Sequence, residues 1–213
     1  MRERILLLCI FCFCICVFTH AQYPGFTLLA NDAAFRQQFS EISQKTISIQ
    51  SDFTQEKDLS MLSEKIVSKG KFWFKKDNRV RMEYSQPFQY LMVLNNGSIY
   101  IKDDQKENKV SAKSNPLFRQ INKIMVDCMQ GSALSNPDFS QRIFEGKSSF
   151  LIELTPTAKN LKSFFEHINI IVDKKDFSAT EIKMYESGGD NTIIRFTNKQ
   201  LNTAIPDALF IIH

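Results

Sequence analysis

The sequence predicts a mainly β protein in which one antiparallel sheet of about ten to twelve strands is covered by amphipathic helices. Three observations lead to this prediction. Most of the chain alternates apolar and polar residues with a period of two, as strands with one buried face do. Turn-forming residues separate these stretches at hairpin spacing. Two segments instead repeat their apolar residues at helical spacing.

Residues 1–21 are predicted to be a cleaved signal peptide. Charged residues precede an apolar run over residues 5–18, and Ala21 provides a small residue at the cleavage position. As a helix this run would rise about 21 Å, less than the ~30 Å hydrocarbon core of a bilayer, so a retained membrane anchor is the weaker alternative. We therefore expect residues 22–213 to be one exported, soluble domain.

The first helix is predicted to begin after an N-cap at Asn31 or Asp32. Its apolar residues form one narrow face: Phe35, Phe39 and Ile42. From Thr46 to Glu56 the period changes to two, which predicts a strand. The apolar residues of that strand are expected on a single face: Ile47, Ile49 and Phe53.

The stretch Gly70–Pro87 is predicted to be a hairpin with an apolar and a polar side, and Lys75–Asn78 is its turn. The apolar side takes alternate residues of both arms: Phe72, Phe74, Val80, Met82 and Tyr84. The opposite side takes Trp73, Arg79, Arg81 and Glu83. Pro87 ends the pairing because proline has no N–H for the ladder.

Further strands are predicted over Phe88–Leu94, which includes Met92, over Ser98–Lys102 after an Asn-Gly turn, and briefly over Lys109–Ala112. A helix follows, with Pro116 at its first position and Gly131 after its end. Its apolar residues form a wide stripe: Leu117, Ile121, Ile124, Met125, Cys128 and Met129. We expect this helix to be either a movable lid or a permanently docked part of the core.

The remaining chain is predicted to contain four more strands, and then a short last strand over Ala208–Ile212. The four are marked by alternating apolar residues: Phe150, Ile152 and Leu154; Ile168, Ile170 and Val172; Ile182 and Met184; Thr192, Ile194 and Phe196.

The residues with catalytic or metal-binding chemistry are too few to predict an enzyme. His167 stands alone on a strand, and Cys128 lies on the apolar face of its helix, so both are interpreted as structural. No nucleophile elbow, phosphate loop or set of zinc ligands is present, and no cofactor or metal is expected. The charges, +4 in total, alternate in sign, which disfavours nucleic acid as a partner.

The apolar concave face leaves two arrangements open. The helices and the sheet can pack into a solid core, or they can enclose a ligand cavity. Periodicity alone does not decide between them.

The order and spacing of several short motifs resemble the LolA family of periplasmic outer-membrane lipoprotein carriers. The resemblance covers nearly all of residues 22–213. The matching features are, in chain order, Phe53-Thr54-Gln55, Gly70-x-Phe72-Trp73-Phe74-Lys75, Tyr84-Ser85-Gln86-Pro87, Ser98-Ile99-Tyr100 after the Asn-Gly turn, Leu154-Thr155-Pro156, Asn160-Leu161-Lys162-Ser163 and Pro206-Asp207-Ala208-Leu209-Phe210.

This resemblance implies an open antiparallel half-barrel in which amphipathic helices cover a hydrophobic cavity for acyl chains. It also implies a residue at the cavity mouth that latches the lid; Lys76 occupies the position where the best-known members have an arginine, so a weaker latch is expected. The side chains expected to line the cavity are Phe35, Phe39, Phe53, Phe72, Phe74, Val80, Met82, Tyr84, Met92, Leu117, Ile121, Ile124, Met125, Ile168 and Ile170.

By resemblance the protein is a monomeric, non-enzymatic periplasmic carrier that takes lipoproteins from an inner-membrane ABC-type release complex to the outer membrane, where an acceptor receives them. A lipid-sensing or structural envelope domain of the same fold, which transports nothing, is the alternative. An envelope hydrolase is a third and weaker hypothesis.

Overall fold

The computed structural model describes residues 23–61, 64–95, 97–103, 107–108 and 116–211 of the chain. The predicted signal peptide and the predicted strand Lys109–Ala112 lie outside these residues. Three α-helices are present in the described part: α1 (Ala33–Lys45), α2 (Pro116–Gln130) and the short α3 (Lys159–Lys162). None of these helices is long and apolar enough to span a membrane.

Twelve strands of the described chain form a single antiparallel sheet. They are β1 (Thr27–Leu28), β2 (Ser48–Leu59), β3 (Glu64–Lys75), β4 (Arg79–Gln86), β5 (Tyr90–Asn95), β6 (Ser98–Asp103), β7 (Glu107–Asn108), β8 (Phe139–Glu145), β9 (Ser149–Pro156), β10 (Phe165–Asp173), β11 (Ala179–Glu186) and β12 (Asn191–Leu201). Their order is β1-β8-β9-β10-β11-β12-β2-β3-β4-β5-β6-β7. The sheet is not closed, which confirms the predicted open, helix-covered half-barrel.

The predicted hairpin has the expected register. Phe72 pairs with Met82 and Phe74 with Val80, and all four side chains are buried in the main core. Gly70 lies at an irregularity in this pairing, where a Cβ would stand 2.1 Å from the backbone oxygen of Glu83. Only glycine fits at this position, because the neighbouring strand approaches too closely for any side chain.

The main core lies between the concave face of the sheet and helices α1 and α2. In α1, Phe35 and Phe39 are buried, and the Phe35 ring packs against Phe150 with a centroid distance of 4.5 Å. In α2 the predicted stripe is directed inward. Its buried members are Ile124, Met125, Cys128 and Met129. Burial raises the pKa of the Cys128 thiol, as expected for a core residue.

The outer face of the sheet is less polar than predicted. Trp73, Val93 and Tyr100 form a second apolar cluster there, covered by Ile205 and Phe210 from the end of the chain. The prediction of a last strand over Ala208–Ile212 was wrong. Residues Asp207–Phe210 instead form a 3₁₀ turn across the sheet, in which the side chain of Asp207 contacts Lys75 and Arg79.

Two other differences concern where one strand begins and which strands are present. Ile47 is 54% exposed, because β2 begins only at Ser48 and its inward series is Ile49, Ser51 and Phe53. Strands β1 and β8 were not predicted. In β8 the inward series Phe139, Gln141 and Ile143 is interrupted by a glutamine, which hides the alternation.

Candidate functional site

The concave face of the sheet changes in polarity along its strands. At one end and in the middle its side chains are mostly apolar, and Phe53, Phe72 and Phe74 are at most 2% exposed. Toward the other end the same alternation continues into polar residues, because Gln55 and Lys57 follow Phe53 on β2 and Glu186 follows Met184 on β11. The boundary between the two regions lies beneath helix α2.

A cavity of about 240 Å³ lies at this boundary, between α2 and the sheet. Its wall is formed by residues of five strands, β2, β4, β5, β11 and β12, and helix α2 covers it. Its lining consists of Gln55, Lys57, Met82, Tyr84, Met92, Ile121, Met125, Met184, Glu186, Thr192 and Ile194.

Methionine dominates the apolar part of the cavity. Met82, Met92, Met125 and Met184 line it, and each is at most 4% exposed. Methionine is unbranched and polarizable, so its side chain adapts to ligands of different shape at little cost. The wall of this cavity can therefore rearrange more readily than the phenylalanine-rich core beside it.

An ion pair forms one polar part of the wall. The Lys57 ammonium donates to both carboxylate oxygens of Glu186, at 3.0 and 3.2 Å, and lies 4.0 Å from Asp190. The Thr192 hydroxyl donates to Glu186 at 2.9 Å. The side chains of Lys57 and Glu186 are 33% and 17% exposed, so the pair is partly shielded from water.

The other polar part is a tyrosine–glutamine pair. The Tyr84 hydroxyl donates to the side-chain oxygen of Gln55 at 2.9 Å, and its ring packs edge-on against Phe53 and Tyr90. Burial raises the pKa of Tyr84, which keeps this hydroxyl protonated. Tyr84 thus presents an apolar ring and a polar tip at the boundary of the cavity.

Helix α2 is fastened at its C-terminal end. The Asp127 carboxylate accepts hydrogen bonds from Lys123 at 2.7 Å, Asn136 at 2.8 Å and Ser132 at 3.0 Å. The Gln130 amide donates to Asn78 in the β3–β4 turn at 3.0 Å. Ile121, one helical turn before Met125, is only partly buried and lines the cavity. The helix is therefore anchored away from the cavity and covers it with its preceding turns.

The structure brings together five of the residues predicted to line a cavity: Met82, Tyr84, Met92, Ile121 and Met125. Most of the others lie deeper in the solid core: Phe35, Phe39, Phe53, Phe72, Phe74, Val80, Ile124, Ile168 and Ile170. The side chain of Leu117 is outside the described part. The two arrangements left open by the sequence therefore coexist, because a packed core occupies most of the concave face and a cavity remains at one end.

Lys76 is not among the side chains that line this cavity. Its exposed ammonium donates to the backbone oxygen of Gln44 at 2.9 Å, in the last turn of α1. The adjacent Lys75 pairs with Ser48, whereas Lys57 at the cavity pairs with Ile66. Nine strand residues separate these two levels, about 30 Å along the sheet. Lys76 thus joins this turn to α1, and the contact between Gln130 and Asn78 joins the same turn to α2.

Six lining residues were not assigned to the cavity from the sequence: Gln55, Lys57, Met184, Glu186, Thr192 and Ile194. The signal for them was the alternation itself. Residues two and four positions after Phe53 must point to the same face, whatever their polarity. The predicted cavity lining took only apolar residues and Tyr84, so it did not include Gln55 and Lys57, which belong to the polar wall of the cavity.

The described residues offer little for bond-making chemistry. They contain no group of three His, Cys, Asp or Glu side chains arranged as a metal site. His167 is half-buried and stacks on Tyr185 with a centroid distance of 4.0 Å, and burial lowers its pKa. It lies on β10 outside the cavity. What the cavity can do is exclude water from an apolar ligand and contact its polar end.

Comparisons with known proteins identify the family of the chain. The model of the family described as "Outer membrane lipoprotein carrier protein LolA" matches residues 44–213. No curated protein matches the chain. Among solved structures, a LolA-superfamily protein from Nitrosomonas europaea has 10% identity and a TM-score of 0.44, with 83% of this chain and 97% of that chain covered.

Two further structures are similar at this level. LppX, a lipoprotein of Mycobacterium tuberculosis, has 11% identity and a TM-score of 0.45, with 83% of this chain and 99% of that chain covered. The Pseudomonas aeruginosa MucA/MucB complex has 14% identity and a TM-score of 0.49, with 86% of this chain and 62% of that chain covered. Because the family model extends over most of the sequence, the chain belongs to the LolA family of outer membrane lipoprotein carrier proteins.

Proposed function

We propose that this protein is a periplasmic carrier that binds the acyl chains of lipoproteins beneath helix α2 and moves them from the inner to the outer membrane. The observation that carries the proposal is the methionine-lined cavity beneath helix α2, whose C-terminal end is hydrogen-bonded to Asn136 and Asn78. Binding and release are its only chemistry, and no cofactor or enzymatic step is involved.

The size of the cavity requires the helix to move during loading. Its 240 Å³ equals about eight water molecules, which is too small for the acyl chains of a lipoprotein. If α2 lifts from the sheet, its apolar face loses its cover, and each buried side chain exposed costs ~1.5–3 kcal/mol. Acyl chains that enter beneath the helix restore that cover, so the open state is stable only when loaded.

The energetics of the cargo determine which partners are needed. Each CH₂ kept out of water contributes about 0.8 kcal/mol, but a bilayer shields it as well as a protein cavity does. The free-energy change for moving acyl chains from the inner membrane into the cavity is therefore close to zero or positive. We expect an ABC-type release complex to drive loading, and an acceptor at the outer membrane to receive the cargo.

A cross-link across the cavity tests the proposal. In a Cys128→Ala background, Ile121→Cys on α2 and Met92→Cys on β5 are joined by a reducible bismaleimide. We expect the linked protein to stay folded and to take up no lipoprotein from inner-membrane vesicles carrying the release complex, until the linker is reduced.

The matched control places the same linker between Lys71→Cys and Glu83→Cys, which pair across β3 and β4 on the exposed outer face. This linked protein should load normally, because α2 remains free. Equal loading of the Ile121–Met92 variant before and after reduction contradicts the proposal.

The deep burial of α2 favours a second candidate. Ile124 and Met125 are only 2% and 1% exposed, as in a permanently docked helix. A lipid-sensing or structural domain would fit such a helix. Depletion of the protein distinguishes the two, because loss of a carrier leaves outer-membrane lipoproteins in the inner membrane, whereas loss of a sensor leaves them correctly placed.

A further inference from the structure

The charged groups at the polar wall do not balance. Lys57 and Glu186 line the cavity, and Asp190 lies just behind them, 4.0 Å from the Lys57 ammonium, so these three side chains together carry a net charge of −1. Glu186 is held by Lys57 and Thr192, and Asp190 by the backbone N–H and hydroxyl of Ser60 at 3.0 and 3.1 Å. Both carboxylates are therefore fixed on this side of the cavity.

The apolar wall gives a bound amphiphile one orientation. A hydrocarbon tail gains most by lying against Met82, Met92 and Met125, where little water remains. The head of the same molecule then lies toward Lys57 and Glu186. The polarity gradient along the concave face thus decides which end of the ligand meets the charged groups.

We propose that Lys57, Glu186 and Asp190 determine the head-group specificity of the cavity, which accepts acyl ligands with uncharged ester or amide heads and disfavours acyl anions. This inference rests on the proposed function, because it assumes that an acyl chain enters the cavity. It adds the class of head group and the residues that select it.

An anionic head is disfavoured by both carboxylates. It would approach Glu186 and Asp190 in a partly shielded site, where Lys57, the cation among the described lining residues, is already paired. An anion that accepted the remaining N–H of Lys57 would lie close to Glu186 and Asp190, so repulsion from these two carboxylates would offset its attraction to the one ammonium.

An uncharged head meets no such penalty. Esters and amides offer carbonyl oxygens, which accept hydrogen bonds. An ammonium has three N–H donors, so Lys57 can keep Glu186 and also donate to one carbonyl. The Gln55 amide and the Tyr84 hydroxyl lie on the same wall. Acyl groups linked through esters and amides are therefore the chemistry that this wall accommodates.

Competition between two ligands with the same chain tests this proposal. An uncharged fluorescent apolar probe is bound to the protein and displaced by monomyristoylglycerol or by myristate at about pH 8, where a carboxylate is ionised. We expect monomyristoylglycerol to bind roughly fivefold more tightly, or better, as two nearby carboxylates would give.

Three variants make the test specific. Glu186→Gln frees Lys57 to pair with an anion, so the preference should fall to about one or reverse. Lys57→Gln leaves both carboxylates without their cation, so the preference should increase. Glu145, on β8 away from the cavity, is also ion-paired, with its carboxylate 2.5 Å from the Lys174 ammonium. Glu145→Gln should therefore leave the preference between the two ligands unchanged.

Circular dichroism and thermal melting establish that each variant is folded, and Asp190→Asn replaces Glu186→Gln if the latter is not. Equal binding of the two ligands by the natural protein, or the same preference in the Glu186 and Lys57 variants, overturns the inference while leaving acyl binding intact. If neither ligand displaces the probe and neither binds directly, the proposed function fails and the inference fails with it.

Discussion

Replacing Gly131 with alanine should weaken the junction between the two helices that cover the sheet. Gly131 follows α2 and has a φ of +74°, a conformation that L-residues rarely adopt. An added Cβ would lie 2.4 Å from the Cβ of Ser43 and 2.6 Å from its hydroxyl oxygen, on α1. Two separate penalties therefore follow from one methyl group.

The expected size of the effect comes from adding the two penalties. A left-handed conformation costs a non-glycine residue about 1–2 kcal/mol. Overpacking against Ser43 costs a further ~1–3 kcal/mol, because a side chain on one helix must force the other helix away. We therefore expect the free energy of unfolding in urea to fall by about 2–5 kcal/mol. Hydrogen exchange in α2 should also become faster, since the separation loosens its fastened end.

A double mutant separates the two penalties. Adding Ser43→Gly removes the side chain that the new methyl group meets, so Gly131→Ala should cost only about 1–2 kcal/mol in that background. Gly188→Ala is the matched control. A Cβ at Gly188 meets nothing within 4 Å and φ there is not left-handed, so stability should hardly change. A cost below about 1 kcal/mol for Gly131→Ala, or no recovery with Ser43→Gly, refutes the reasoning.

Three further predictions concern the sheet. Gly70→Ala should lower the free energy of unfolding by more than about 3 kcal/mol, or prevent folding, because the new Cβ would stand 2.1 Å from a backbone oxygen; soluble yield and melting temperature measure this. Glu153→Gln should cost about 2–4 kcal/mol in urea unfolding and speed hydrogen exchange near Tyr23, because Glu153, 3% exposed, accepts hydrogen bonds from Arg142 and Tyr23. Burial lowers the pKa of His167 below its ordinary 6.5, so the folded protein keeps the imidazole neutral at pH values where the unfolded chain binds a proton. Stability should therefore fall as the pH decreases from 6.5 through the lower folded pKa. Melting scans at several pH values should show a smaller decrease in His167→Asn.

The parts of the fold that the sequence predicted well are those where one pattern dominates. The hairpin Gly70–Pro87 has strict alternation and a polar turn, and α2 has a proline at its start and a glycine after its end. Each of these signals is local, so no knowledge of distant packing was needed.

The parts that were missed depend on contacts between distant segments. The last segment became a 3₁₀ turn rather than a strand because Ile205 and Phe210 pack onto Trp73 and Asp207 binds Lys75 and Arg79. The resemblance implied a cavity lined by apolar residues of both helices and much of the sheet, five phenylalanines among them. It lies instead where the apolar face meets Lys57 and Glu186, since shorter or flexible side chains leave space that packed rings fill.

The strand order has a consequence for how the protein folds. Strands β2–β7 and β8–β12 are two meanders of sequential neighbours, and they join where β12 pairs with β2. In that seam Phe53 lies opposite Phe196, 143 positions later in the chain. Contacts so distant form slowly, because the loop between them must first close.

The cavity lies across this seam, since Gln55 and Lys57 come from the first meander and Met184, Glu186 and Thr192 from the second. Neither meander alone can form it. We expect pulse-labelled hydrogen exchange to protect each meander before the β12–β2 pairing. The acyl binding that we propose should then develop only with the seam, in the last step of folding.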